Sequence, residues 1–283
     1  MRVAVVAAGQ MGAGVGGRLA QHGAEVWTVL EGRSADSRGR ARAAGMCDVP
    51  LTQLSQCDFV LSIVPPASAA QFAESAAASL AAAERKPVFV DCNAVCPDTA
   101  EAIGEMLCAQ GVPFVDAGII GLPPSADAAG PNFYASGPEA RRFAALARFG
   151  LSVRVLEAPV GAASALKMSY AGITKGLTAA AVTMILAAER AQVLEALHRE
   201  LAESQAPLLA GLARSIPAMF PKAYRWVAEM QEIAEYAHTE AGAARLFAGA
   251  SELYERIAAD VAGPRHESAR LDRFLKHGSG AGG

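Results

Sequence analysis

An N-terminal α/β unit with a mostly parallel sheet, followed by an all-α unit built on one long helix, is the architecture that the sequence predicts. Two observations carry it. The first half alternates short apolar runs with helical stretches, and from about Ala162 no strand-like segment follows. The candidate strands are Arg2–Ala7, Glu25–Leu30, Phe59–Val64, Val88–Val90, Pro113–Asp116, Asn132–Ala135 and Ser152–Val155. Between them Met11–His22, Gly39–Ala44, Ser68–Ala83, Pro97–Gln110 and Pro138–Phe149 read as helices. Such βαβ alternation implies parallel strands covered on both faces.

In the second half, Ser164 to Glu203 contains no proline and reads as one helix of about 40 residues, long for a globular protein. Its first two-thirds is apolar nearly all round, which predicts burial against both domains or a second subunit, and so a homodimer. Pro207, Pro217 and Pro221 punctuate shorter helices after it. The expected division is a first domain over 1–161, an all-helical substrate and dimerisation domain over 162–276, and a Gly/Ser-rich disordered tail over 277–283.

Composition narrows the function. A net charge of −3 with no dense Lys/Arg run argues against nucleic acid as a partner. The apolar start Val3–Ala8 is too short for a secretory signal, and the Ala-rich stretch Leu177–Ala188 is too short to span a bilayer. The five cysteines are Cys47, Cys57, Cys92, Cys96 and Cys108. An odd number without a secretory context predicts thiols in a reducing compartment, the cytoplasm. Cys92 and Cys96 lie four apart, but no further Cys or His pair completes a metal site, so no metal is expected.

The first strand runs directly into Ala8-Gly9-Gln10-Met11-Gly12, and a helix follows. Such a turn lets backbone N–H groups approach a pyrophosphate at the helix N-terminus. Ala7 stands where the first glycine of G-x-G-x-x-G is usual. A literal match, Gly12 to Gly17, begins about a helical turn too late to follow the strand and is rejected. The turn, its place after a strand and the second strand beyond predict a Rossmann domain holding a nicotinamide dinucleotide. The second strand ends in Leu30-Glu31-Gly32-Arg33-Ser34. An acidic residue there accepts from the ribose 2′-OH of NAD, whereas arginine and hydroxyl groups hold the 2′-phosphate of NADP. Arg33 and Ser34, with Arg38 and Arg40 behind them, favour NADP. Glu31 keeps NAD as the alternative, and a solvated basic loop is the bland one.

From these residues the chain resembles the β-hydroxyacid dehydrogenase superfamily, which includes 3-hydroxyisobutyrate and 6-phosphogluconate dehydrogenases. The resemblance covers the first half and the start of the long helix. It rests on the Gly9–Gly12 turn with Arg33-Ser34; on Ser62-Ile63-Val64-Pro65-Pro66, similar to a Val-Pro segment near the cofactor; on Asp91-Cys92-Asn93 through Pro97; and on Gly161 through Lys167. It implies that Val64, Pro65, Pro66 and Asn93 border the cofactor, that Asn93 also grips a substrate carboxylate, and that Lys167 is the catalytic acid/base. Asp-Ala-Gly-Ile-Ile-Gly from Asp116, Ala-Leu-Lys-Met-Ser-Tyr-Ala around Lys167, and Tyr224 through Met230 resemble the branch with a phosphogluconate-dehydrogenase-like C-terminal domain of undefined function.

Two departures point away from the family's usual substrates. The helix Asn four residues after the lysine is Ala171, with Ser169, Tyr170 or Thr174 as partial substitutes. The serine of the substrate loop is Ile120, followed by Gly121. Ile120, Gly121 and Tyr170 are therefore the expected substrate-side residues of a less polar pocket.

Hydride transfer between a carbinol carbon and the nicotinamide needs a group that moves the hydroxyl proton, and a desolvated lysine suits that task. Lys167 has no acidic residue at i±3 or i±4. A lysine snorkelling to water is the competing explanation. Lys175 is a weaker candidate on roughly the same face, and Lys222 reads as a surface group. Arg225 and Glu229 have the spacing of a helical ion pair, and Arg225 is a minor candidate for a substrate carboxylate. Trp226 reads as packing, and His238 is a poor catalyst candidate. The expected function is an NADP-dependent dehydrogenase or reductase acting on CH–OH groups of a hydroxy acid or related carbonyl. An imine reductase on the same fold, or a non-catalytic NADPH-binding protein, are the alternatives. Related imine reductases commonly carry Asp or Tyr at the lysine position.

Overall fold

The structure is a computed structural model that describes residues 1–125 and 130–276. The expected disordered tail, 277–283, lies outside the described residues. The chain divides into two compact units, Met1–Met168 and a second unit from Ser169 onward.

The first unit contains β1 (Arg2–Val6), α1 (Gln10–Gln21), β2 (Glu25–Thr28), α2 (Ala35–Ala43), β3 (Cys47–Asp48), β4 (Phe59–Ser62), α3 (Ala69–Ala81), β5 (Val88–Asp91), α4 (Pro97–Ala109), β6 (Phe114–Ile120), β7 (Asn132–Ser136), α5 (Ala140–Phe143) and β8 (Ser152–Val155). These strands form one eight-stranded sheet in the order β3-β2-β1-β4-β5-β6-β7-β8. Among the described residues, only the β6–β7 pair is antiparallel. Strands buried on both faces need apolar residues at every position, not alternate ones. Val3, Val5, Leu61, Val90 and Val115 pack on one side with Val15 and Leu19 of α1 and Phe143 of α5. Ala4, Val60, Phe89 and Phe114 pack on the other with Ala73 and Leu80 of α3 and Ile103 and Leu107 of α4.

Several boundaries differ from expectation for local reasons. The fifth expected strand continues to Ile120 because β7 pairs antiparallel along it, from Asp116 opposite Ser136 to Ile120 opposite Asn132. Helix α2 starts four residues before the expected Gly39 because the Ser34 hydroxyl accepts from the Ser37 N–H at 3.3 Å, a serine N-cap. The helix expected over Pro138–Phe149 is only α5 followed by a 3₁₀ turn, Ala144–Phe149, which Gly150 ends at φ +85°. The two-residue β3, exposed and half polar, is too short to show in the sequence.

Helix α6 (Ala162–Arg190) begins in the first unit and continues as the first helix of the second. The expected 40-residue helix is in fact two. Ala191–Val193 separate α6 from α7 (Leu194–Ser204). At the break Gln192 takes φ +60°, its N–H donates to the Glu189 carbonyl at 2.9 Å, and the Val193 N–H donates to the Ala188 carbonyl at 2.9 Å. This is a Schellman stop with glutamine where glycine is usual, so nothing in the residue types announces it. Then follow α8 (Ala206–Met219), α9 (Ala223–Tyr236), α10 (Ala241–Ala262) and α11 (His266–Lys276). Pro207 stands in the first turn of α8 and Pro221 in the 3₁₀ turn Phe220–Lys222, but Pro217 lies inside α8 rather than ending it.

Inside the helical unit, Gly172 and Gly176 admit the Phe247 ring of α10, since a Cβ at either would meet it at 3.2 Å. The Tyr254 hydroxyl donates to the Lys175 carbonyl at 2.6 Å, and the Trp226 ring stands edge-on to Tyr254. The expectation that α6 is buried all round does not hold in the single chain: Ile173, Leu177 and Met184 are 72%, 51% and 58% exposed. By length and composition α6 could also cross a bilayer, so shortness does not exclude that. Its Lys175–Glu229 ion pair and its Thr178 hydroxyl bond to Ser215 are those of a core helix in this unit.

Glycine at 192 removes the cost of holding a side chain in the left-handed region. Gln192→Gly is expected to raise the unfolding free energy by about 1 kcal/mol in a denaturant titration, and a loss of stability would contradict the helix stop.

Candidate active site

In a doubly wound sheet, ligands bind beyond the carboxyl ends of the strands, where the strand order reverses. Here that point lies between β1 and β4. Parallel register aligns Val6, Ser62, Asp91 and Asp116 across β1, β4, β5 and β6 as one row at the carboxyl edge. The residues just beyond this row form the candidate site.

Beyond β1, Gly9 is the N-cap of α1 and offers no side chain to it. The helix therefore presents its first N–H groups and the positive end of its dipole to an anion. A Cβ on Gly9 would meet nothing within 4 Å, which leaves room for a ligand to approach the backbone. A Cβ on Gly12 would come within 1.9 Å of the Ala7 carbonyl oxygen, so glycine is required there by the turn itself. Ala8 is buried beneath the turn, whereas Gln10 is exposed and Met11 half-buried at the start of α1. These features fit a bound pyrophosphate.

Beyond β2, Glu31 is exposed, Gly32 takes φ +68°, and Ser34 caps α2. The Arg38 Nε donates to the Arg33 carbonyl at 3.2 Å. Arg40 links the two loops: its Nε donates to the Ala8 carbonyl at 3.1 Å and its Nη2 to the Ser37 hydroxyl at 3.0 Å. The Arg33–Ser34 segment is thus tied to the glycine turn through α2.

Between β4 and β5, Asn93 is buried and fully engaged. Its Oδ1 accepts from the Val64 N–H at 2.7 Å, and its Nδ2 donates to the Ser62 hydroxyl at 2.8 Å and to Asp91. It holds Val64, Pro65 and Pro66 in place beside the switch point, with Pro65 exposed.

Beyond β6, Ile120 is half-buried and Gly121 takes φ +132°. The loop after them crosses α1: Pro124 lies where a Cβ on Gly14 would be 3.0 Å away, and Arg18 donates to the Ser125 carbonyl at 3.1 Å. Lys167 is half-buried in the second turn of α6, and a Cβ on Gly118 would stand 3.1 Å from the Lys167 Cβ. The lysine stem therefore lies over β6, two residues past the aligned row.

The other candidates belong to the helical unit. Tyr170 is half exposed on α6 in the helical unit. The Ser169 hydroxyl bonds that of Tyr236 at 3.2 Å, and Thr174 donates to the Tyr170 carbonyl at 2.9 Å. Lys175 pairs with Glu229, so the glutamate that the spacing assigned to Arg225 is held from another helix. Lys175 also lies 4.9 Å from the Trp226 ring centroid. Sequence reasoning left Asp116 without a role and placed Arg40 only in the background. The bonds that give them a role, from Arg40 to Ala8 and from the first turn of α6 to Asp116, join residues 32 and 45 or more positions apart, which is why no local pattern marks them.

Residues 2–149 match the family described as the NAD binding domain of 6-phosphogluconate dehydrogenase. The chain belongs to that family. Residues 188–257 match a domain of unknown function, DUF1932; together with the N-terminal match this places the chain in the β-hydroxyacid dehydrogenase superfamily with that C-terminal domain. An uncharacterized 28.5 kDa protein of Methanothermus fervidus is 27% identical over 215 residues, 75% of this chain and 81% of that protein. A solved conserved protein of unknown function, described as structurally similar to 3-hydroxyacid dehydrogenases, is 27% identical with a TM-score of 0.68, covering 91% of this chain and 99% of the other. The fold is shared with Mycobacterium tuberculosis 3-hydroxyisobutyrate dehydrogenase, at 17% identity, a TM-score of 0.72 and coverage of 96% and 98%. It is also shared with a Myxococcus stipitatus imine reductase solved with NADP+, at 17% identity, a TM-score of 0.53 and coverage of 97% and 99%. The protein is an oxidoreductase of this nicotinamide-dependent family.

Asp91 is buried, and its Oδ2 has no hydrogen-bond partner among the described residues. Burial pushes its pKa up to about 7; bonds from Asn93 oppose this and the neighbouring Asp116 adds to it. Because the folded value exceeds the unfolded one of about 3.9, the folded state keeps a proton that the unfolded chain releases. The group's stabilising contribution is complete below about pH 4 and is lost as pH rises through about 7. Asp91→Asn should therefore gain stability relative to the native chain between about pH 5 and about pH 8, read as the difference in denaturation midpoints. A difference independent of pH would refute the assignment.

Proposed function

We propose that the protein is a cytoplasmic NADP-dependent dehydrogenase or reductase acting on a hydroxy acid or related carbonyl compound, with Lys167 as its acid/base. The observation that carries this reading is the Lys167 stem over Gly118, at the same sheet edge as the uncapped Gly9 turn. When bound, the nicotinamide supplies or accepts the hydride at C4. The residues of the chain do the rest. Gly9 through Gly12 receive the pyrophosphate. Arg33 and Ser34 meet the 2′-phosphate, held in register with the turn by Arg40. Asn93 keeps Val64, Pro65 and Pro66 beside the cofactor; with both amide hydrogens engaged, its contribution on the substrate side is to set the shape of that wall. Ile120 and Gly121 complete the substrate side. Lys167 takes the hydroxyl proton as the carbonyl forms, or returns it in the reverse direction.

An imine reductase is the second reading. The apolar, half-buried Ile120 favours it, and a lysine at 167 counts against it.

Fluorescence titration with NADPH and NADH, followed by a carbonyl and imine substrate screen of native protein and Lys167→Ala, tests the proposal. NADPH should bind at least about tenfold tighter, since an arginine and a hydroxyl recognise the extra phosphate. The variant should keep that affinity and lose about 100-fold or more in turnover. Tighter NADH moves the specificity role to Glu31. Imine turnover unaffected by the substitution supports the second reading, and tight NADPH with no turnover a non-catalytic protein.

We also propose a homodimer, supported by the exposed Ile173, Leu177 and Met184 on one helix. Sedimentation at micromolar concentration should show a dimer, and a monomer would end that proposal.

A further inference from the structure

We infer that Asp116 is a positioning residue for Lys167, holding the first turn of α6 by its carboxylate while Gly118 sets how closely the helix approaches the strand. The inference rests on the reading of Lys167 as the acid/base.

A helix begins with N–H groups that have no partner inside it, and the residue just before it usually supplies an oxygen. Before α6 stands Gly161, which has no side chain and takes φ +93°, where a side chain would be strained. The oxygen comes instead from a strand far away in sequence. Asp116 Oδ2 accepts from the N–H groups of Gly161 at 3.0 Å, Ala163 at 3.0 Å and Ser164 at 3.1 Å. It also accepts from the Ser136 hydroxyl at 3.0 Å, and Oδ1 accepts from the Ser164 hydroxyl at 2.7 Å. The Ser136 oxygen in turn accepts from the Ala163 N–H at 3.1 Å. A buried carboxylate with donors on both oxygens, at the positive end of a helix, is satisfied in direction and charge. An amide cannot replace it: one oxygen becomes an NH₂ group facing hydrogen-bond donors.

Side chains two apart on a strand face the same side. Gly118 therefore meets the same helix one strand repeat beyond Asp116. A Cβ there would be 2.7 Å from the Ala163 carbonyl oxygen and 3.1 Å from the Lys167 Cβ. Two points on β6 thus define the helix locally. Asp116 fixes its end, Gly118 fixes its separation from the strand, and Lys167 lies one turn past the capped N–H groups of Ala163 and Ser164. Catalytic groups tolerate only about 0.5 Å of displacement, so an anchor of this kind bears on proton transfer and not only on stability.

The test compares native protein with Asp116→Asn and Ser136→Ala, the latter retaining the carboxylate and four of its five donors. The rate at which trinitrobenzenesulfonate modifies Lys167 is read by peptide mass spectrometry at constant pH, with exposed Lys276 as the internal control. NADPH affinity is measured alongside. Asp116→Asn should change the Lys167 labelling rate by about threefold or more and Ser136→Ala by less, with Lys276 unchanged and NADPH affinity kept within about twofold. Lys167 labelling at the native rate in both variants overturns the inference, even where the melting temperature falls. If Asp116→Asn does not fold, Ser136→Ala decides: a Lys167 rate that departs from native by more than the Lys276 control supports the inference, and a native rate overturns it. A native labelling profile combined with loss of turnover in Lys167→Ala means that the acid/base reading stands and the positioning role fails. A changed profile with full turnover in Lys167→Ala means the reverse.

Discussion

Parallel register is the constraint on which the first unit depends. Because β1, β4, β5 and β6 are aligned from Val6 through Ser62 and Asp91 to Asp116, the loops that leave them open on one edge of the sheet. Each loop then adds a different chemical feature: an uncapped helix end after β1, the Val64–Pro66 wall after β4, the buried Asn93 after β5, and the glycine that admits the Lys167 helix on β6. A one-residue slip of any strand would turn its inward side chains to the opposite face and scatter this set.

The same edge carries an unusual load of buried polarity. Ser62, Asp91, Asn93, Asp116, Ser136 and Ser164 are all buried within a few strands of one another. Burial of such groups is tolerable only when their hydrogen bonds are made. Asp116 meets that condition with donors on both oxygens. Asp91 does not, since its Oδ2 has no hydrogen-bond partner among the described residues, and protonation is a way to avoid an enclosed charge. Two carboxyls side by side thus differ in how many donors they receive.

In the helical unit, polarity has a structural use. The Lys175–Glu229 pair, the Trp226 ring beside it and the Tyr254 hydroxyl on the Lys175 carbonyl join α6, α9 and α10 at one point. Charge and packing are satisfied together there, and Gly172 and Gly176 leave room for Phe247 on the same helix. The opposite side of α6 keeps Ile173, Leu177 and Met184 open to solvent.

The family resemblance pointed to Lys167 and Asn93, while residue types and short-range order alone determined the alternating first half, the helical second half and the glycine turn beginning at Gly9. Each of these is written in local periodicity or in a turn that only glycine can make. Tertiary structure decided what depends on partners distant in sequence or on backbone angles that residue type does not reveal. The stop at Gln192 uses a left-handed residue that is not glycine. The extension of β6 to Ile120 depends on pairing with β7. Glu229 answers Lys175, which lies on another helix. Asp116 caps a helix that begins 46 positions later, at Ala162. A hydrogen bond acts over about 3 Å whatever the separation along the chain, so only the folded backbone determines which distant donor and acceptor meet.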